Sequence, residues 1–227
     1  MCFSAVASFS SAGALTVVGV FGLYFAMHGN KRFFALNLIT LFYAIQQFSE
    51  GMIWIHSPIL TSQIWGEIFL FFAFFIYPWF AGVGCYFLTR QPRLKRRILW
   101  VIFAGIVFGL WAFSNVLLTP DLGLDQCRRH IYYDVHIMGG YSIDGLFMHY
   151  VLIPIYIFLT SAPFFITDKR NLYIVGLAII VSSIICCFIY FDYFISVWCF
   201  YAAIITLCIS ALTYFQWQRR RSRFYVN

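Results

Sequence analysis

The chain has 227 residues and a formal net charge of +7; 63% of its residues are hydrophobic, 22% aromatic and only 10% charged. A water-soluble domain carries roughly 25% charged residues, so this composition excludes a soluble globular protein. It predicts one integral membrane domain over 1–227, all-α, with the lipid bilayer as its first partner.

The opening stretch, MCFSAVASFS, has no basic residue ahead of its apolar run and no cleavage site followed by a mature domain. It reads as a retained span and not as a secretory signal. It is not a lipoprotein signal either, which would place an apolar segment before Cys2. Crossing about 30 Å of hydrocarbon takes about 20 apolar residues. By that measure seven transmembrane helices are predicted, at roughly 5–27, 33–56, 64–89, 97–118, 145–167, 171–191 and 194–216. Between Leu172 and Phe215 the one ionised residue is Asp192, read as a tight turn that divides the last two spans.

Lys31, Arg32, Arg90, Arg93, Lys95, Arg96, Arg97, Lys169, Arg170, Arg219, Arg220, Arg221 and Arg223 fall in alternate connections and the C-terminal tail. The positive-inside rule makes these cytoplasmic, with the N-terminus outside and the C-terminus inside. Arg128 and Arg129 fall on the other side. Glu50, Glu67, Asp121, Asp125, Asp134, Asp144 and Asp192 also map outside, and Asp168 inside. The basic balance thus reflects topology and not a nucleic-acid partner.

The outer side collects most of the groups able to do chemistry. In AIQQFSEGMIWIH, Gln46 and Glu50 are spaced i, i+4 and share a face of the second span, with Gln47 beside them. Ionisable residues at this depth usually face a bundle interior or a wet cavity. One reading is an outward-facing ligand pocket lined by Gln46, Gln47 and Glu50 with His56 above. The other is structural glue, in which these side chains only bond neighbouring helices. Glu67 and Asp192 lie shallower, where interfacial solvation also accounts for them.

The connection at 119–144 is long, aromatic and β-branched. In RHIYYDVHI, His130, Tyr132, Asp134 and His136 point one way and Ile131, Tyr133, Val135 and Ile137 the other. A Gly139-Gly140 turn followed by YSI predicts a short β-hairpin, an outer lid between the fourth and fifth spans. His130, Asp134 and His136 on one strand face suit a metal, or form a solvated face over an apolar underside. His149 stands about one turn into the fifth span.

Cys85, Cys186, Cys187, Cys199 and Cys208 lie within spans, where cysteine acts as a small hydrophobe, and no role is assigned to them. Cys2 and Cys127 share the outer side. They are readable as a disulfide. Alternatively, trimming of Met1 leaves Cys2 with an α-amine and a thiolate that chelate a soft metal. The third reading is a plain terminal residue. Gly105 and Gly109 in GIVFG form a small-xxx-small packing face. Pro78, Pro154 and Pro163 are expected to kink spans.

The opening MCFSAVASFSSAGAL, with AIQQFSEGMIW some thirty residues on, resembles a group of bacterial multi-pass membrane proteins of unassigned activity. These open Met-Cys-Phe-Ser or Met-Cys-Trp-Ser and carry a Gln/Glu-bearing second span. The resemblance covers about the first 55 residues, through Cys2, Ser4, Gln46, Gln47, Glu50 and Trp54. It implies a bacterial inner-membrane location and says which end matters. It implies no reaction.

Other seven-span plans fit poorly. No lysine lies in the last span to hold retinal, and no histidine lies between Phe194 and Gln216 to hold the zinc of a membrane hydrolase. A haem b between His56 and His149, with Arg128 and Arg129 on its propionates, fits less well than a metal ion because these histidines lie at helix ends. Three functions stay open. The first is a metal-dependent enzyme or redox protein using zinc, copper or iron at Cys2, Glu50 and His56, joined by His149, His130 and His136, with Glu50 as catalytic base. The second is a transporter or receptor that binds a small polar or cationic molecule among Gln46, Gln47, Trp54 and Glu67. The third is a structural or assembly protein.

Overall fold

A computed structural model describes residues 4–56, 60–119, 122–127, 130–134, 136–137, 141–142, 151–190 and 193–224. Helix α1 (Ala5–His28) starts where Ser4, in extended conformation, accepts the Ala7 N–H on its hydroxyl at 3.3 Å. It stops at Gly29, whose N–H returns to Phe25 O at 2.8 Å. One 3₁₀ turn (Lys31–Phe33) leads into α2 (Phe34–His56). Helix α3 (Leu60–Leu70), a π-helical segment (Phe71–Ile76) and α4 (Tyr77–Leu88) run on as one rod. Then come α5 (Pro92–Leu117), short strands β1 (Gly123–Cys127), β2 (His130–Asp134), β3 (His136–Ile137) and β4 (Tyr141–Ser142), and helices α6 (Ile153–Ile166), α7 (Tyr173–Ile189) and α8 (Phe194–Phe224).

Among the described residues, five segments are long and apolar enough to cross a membrane: Ala5–His28, Ser62–Leu88, Pro92–Leu117, Arg170–Ile189 and Phe194–Ser222. Val17, Phe21, Trp100, Phe103, Ile174 and Phe188 stand exposed on them, as side chains facing lipid do. The chain is a multi-pass helical membrane protein. Helix α2 is as long as these, but Asn37, Gln46, Gln47 and Glu50 dilute its hydropathy; α6 is a shorter apolar helix of 14 residues.

Pro78 lies inside the continuous rod 60–88, directly after its π-helical segment, Pro154 near the start of α6, and Pro163 inside α6. The turn ahead of Pro78 has widened, so that the Tyr77 N–H reaches back five residues to Phe72 O. The GIVFG face of α5 docks on this stretch. A Cβ added at Gly105 would lie 2.4 Å from Pro78 O, and one at Gly109 2.9 Å from Phe75 O.

Helix α2 is the hub, packed on α1, α3, α4 and α8. Near its start, Asn37 Nδ2 donates to Phe33 O and to Thr213 Oγ1, each at 2.9 Å, and Ser210 Oγ donates to Asn37 Oδ1 at 3.1 Å. Gly22 of α1 makes room for this clamp, since a Cβ there would meet Asn37 Oδ1 at 2.2 Å. Asn37→Ala removes Ser210's acceptor and should lower stability by about 1–2 kcal/mol. Thermal unfolding in detergent checks this; an unchanged midpoint would mean the clamp contributes nothing.

Strand β2 pairs antiparallel with β1, and β3 with β4. The predicted continuous strand over 130–137 therefore pairs mainly with the stretch before it, and only His136 and Ile137 pair with YSI. Ile131 and Tyr133 form the buried underside, and the Tyr133 ring stacks on Phe69 at 4.9 Å. At the far end, Arg220 Nη1 donates to Gly29 O (2.7 Å) and the Arg90 N–H to Asp168 Oδ2 (3.3 Å), which gathers the basic connections on one side of the bundle.

Candidate functional site

The polar residues of α2 meet those of α8 in an antiparallel ladder. At one rung, Glu50 Oε1 accepts Ser196 Oγ at 2.7 Å, while Glu50 Oε2 accepts Gln47 Nε2 at 3.1 Å. One helical turn deeper, Gln46 Nε2 donates to Cys199 Sγ at 3.4 Å and to Phe69 O at 3.3 Å. Tyr77 OH donates to Gln46 Oε1 at 3.0 Å, and the Tyr77 ring stacks on Tyr43 at 4.2 Å. Phe69 stands just before the π segment, where the change of helical register leaves its carbonyl open to a side-chain donor. Gln46, Gln47 and Glu50 are all 0% exposed, so this is an interior seam and not an open pocket.

Cys199 has a second face. With Ala73, Phe74, Trp111, Tyr156 and Trp198 it lines an apolar crevice enclosing about 50 Å³. The Tyr156 and Trp198 rings meet edge to face at 5.2 Å. Tyr156 OH, Trp198 Nε1 and, in the seam, Gln47 Oε1 are buried and meet no hydrogen-bond partner among the described residues. Most buried polar atoms in proteins are paired, so three such atoms within a few turns mark this region as incomplete by itself.

With this geometry in view, the comparison with known families is decisive on kinship. A sequence profile matches residues 1–226. The chain belongs to DUF6629, a family of unknown function. No curated protein and no solved structure matches it. DUF6629 membership thus extends over nearly all of the chain the resemblance first noted in its opening 55 residues.

In this DUF6629 protein only some of the predicted site residues are among those described. Gln46, Gln47 and Glu50 come together as above. His56 is half-buried at the end of α2, with Nδ1 3.0 Å from Met52 O; Trp54 and Glu67 are half-buried too. Cys2, His149 and Asp192 lie outside the described residues. Cys127, His130 and His136 fall on β1, β2 and β3, with their side chains outside the description. The Cys2–Cys127 pair therefore lies outside the described residues. Among the described residues no group of three His, Cys, Asp or Glu is placed to hold a metal ion. Glu50 takes hydroxyl and amide donors on its two oxygens.

Three participants escaped the sequence reading: Ser196, Cys199 and Tyr77. A signal for the first two existed. Ser196 and Cys199 are spaced i, i+3 in FISVWCF, the complement on α8 of the Gln46–Glu50 spacing on α2.

Proposed function

We propose that this protein binds a small, largely apolar molecule carrying an acceptor oxygen, within the membrane, as a receptor or transporter does. The observation that carries this reading is the pair of donors, Tyr156 OH and Trp198 Nε1, that meet no hydrogen-bond partner among the described residues yet belong to residues walling an apolar crevice. Ligand sites are mostly apolar with a few convergent polar groups. Here the body of the molecule would lie against Phe74 and Trp111, and its oxygen would accept from Tyr156 or Trp198. The Gln46–Cys199 contact joins this crevice to the Glu50 seam.

Seven helical rods and the clustering of basic connections at one end support a seven-span topology with the N-terminus outside. The strands would then form a lid at the outer end. They touch α3, α5 and α8 and bury Tyr133 against Phe69.

Mass spectrometry of gently solubilised protein tests the reading, with Ala112→Phe as the comparison. Ala112 lines the crevice from a half-buried position, so a ring there fills the space without touching the seam. A near-stoichiometric small molecule on the native protein that Ala112→Phe loses is the expected result. Its absence from both, or equal retention by both, would refute the proposal.

A further inference from the structure

We infer a second site, at the basic end of the bundle, that takes the phosphate headgroup of an anionic phospholipid. A cavity of about 150 Å³ lies between the start of α2, the α6–α7 connection and the last third of α8. Phe33 and Leu212 give it apolar walls; Lys169, Arg170, Asn171 and Gln216 line it with donors. This is a different composition from the crevice, where no charged side chain takes part.

The charge around it is one-sided. Lys31 and Arg32 directly precede Phe33 in an exposed 3₁₀ turn. Arg219 and Arg220 follow Gln216 by three and four residues, hence on its face of α8. Arg220 is drawn back over the α1–α2 connection by its bond to Gly29 O, and Trp217 packs on Phe25 at 5.0 Å. Asp168 also lines the cavity: Oδ2 accepts the Arg90 N–H at 3.3 Å, and Oδ1, which meets no hydrogen-bond partner among the described residues, stands 3.6 Å from Lys169 Nζ. Lys169 and Arg170 line the cavity itself, and Lys31, Arg32, Arg219 and Arg220 on the adjoining segments add to a field that outweighs this one carboxylate. The guanidinium of Arg170 and the amides of Asn171 and Gln216 offer the directional donors that phosphate oxygens take.

A lipid, and not a free anion, follows from the walls and the position. The cavity opens where apolar helices end, at the level at which headgroups stand, and Phe33 and Leu212 would lie against the glycerol and first acyl carbons. Basic pockets between spans at a cytoplasmic boundary recognise anionic lipids in this way.

The test uses full-length protein in a non-ionic detergent, titrated with phosphatidylglycerol, phosphatidylcholine and glycerol 3-phosphate, and read by native mass spectrometry. Phosphatidylglycerol is expected to bind best. Lys169→Gln with Arg170→Gln should weaken it by about fivefold per cation, or about 25-fold together. Lys169→Arg with Arg170→Lys should keep it. If the double glutamine variant fails to fold, Lys31→Gln with Arg32→Gln on the exposed turn replaces it, with the same expected loss. Equal binding of phosphatidylcholine, or wild-type affinity in the glutamine variants, would overturn the site. Glycerol 3-phosphate binding as tightly as the lipid would overturn the lipid assignment.

Discussion

Replacing Gly105 by leucine is expected to prevent recovery of folded protein, whereas the same change at Gly13 leaves the yield as it was. The two positions differ in what a side chain meets. A Cβ at Gly13 finds nothing within 4 Å, but at Gly105 it lies 2.4 Å from Pro78 O, 2.8 Å from Pro78 C and 3.0 Å from Trp79 Cα. All three are backbone atoms, which cannot rotate out of the way. Overpacking a core typically costs about 1–3 kcal/mol. A four-carbon side chain forced against a proline-rigidified backbone should reach or pass the top of that range. Size-exclusion profiles and thermal midpoints in detergent read the outcome. A Gly105→Leu protein that matched wild type would mean that α5 does not dock on the start of α4.

Glu50→Ala and Glu50→Gln should separate sharply. The alanine removes the acceptor of both Ser196 Oγ and Gln47 Nε2 in a fully buried interface, a loss of about 2–5 kcal/mol. The glutamine keeps an oxygen for Ser196. Its new amide can donate to Gln47 Oε1, which meets no donor among the described residues, once the Gln47 amide turns over. Glu50→Gln should therefore stay within about 1 kcal/mol of wild type. Thermal unfolding of the two variants side by side checks this. If the glutamine variant fell as far as the alanine one, the negative charge itself would hold the helices together. If it held, the carboxylate would be dispensable for folding, and its charge would need a functional explanation.

Much of the architecture was legible because bilayer thickness sets a length scale that apolar runs must meet. The boundaries of α1 and α2 follow closely from it, whereas α5 starts at Pro92, ahead of the expected 97, because its basic first turns are helical too. The Gly105–Gly109 face was readable for the same kind of reason, since close approach needs small residues. The alternation that buries Ile131 and Tyr133 was readable too. The pairing of β2 with β1 was not, because β2 has apolar neighbours on both sides, and only His136 and Ile137 pair with Tyr141 and Ser142. At the seam, α2's side was evident from a carboxylate at depth. Ser196 and Cys199 passed as ordinary apolar-span residues, since a hydroxyl and a thiol acquire meaning only from what faces them. The crevice had no sequence signature at all: it is a gap between residues from four parts of the chain.

The ladder joining α2 to α8 also orders the protein's biogenesis. Glu50 and Ser196 are 146 positions apart, Gln46 and Cys199 153, and Asn37 and Thr213 176. The bonds from α2 to Ser196, Cys199 and Thr213 therefore form only once the last helix is in place, whereas Gln46 can meet Phe69 O and Tyr77 OH earlier. A lone carboxylate in a membrane helix costs up to about 3 kcal/mol on insertion scales, and α2 has little surplus hydropathy to offset it. A nascent chain that ends before Phe194 thus holds a poorly seated α2, the kind of defect that membrane proteases recognise. Completion of the C-terminal helix is in this sense the checkpoint for the whole bundle, since α1, α3 and α4 cover only part of α2 in the meantime.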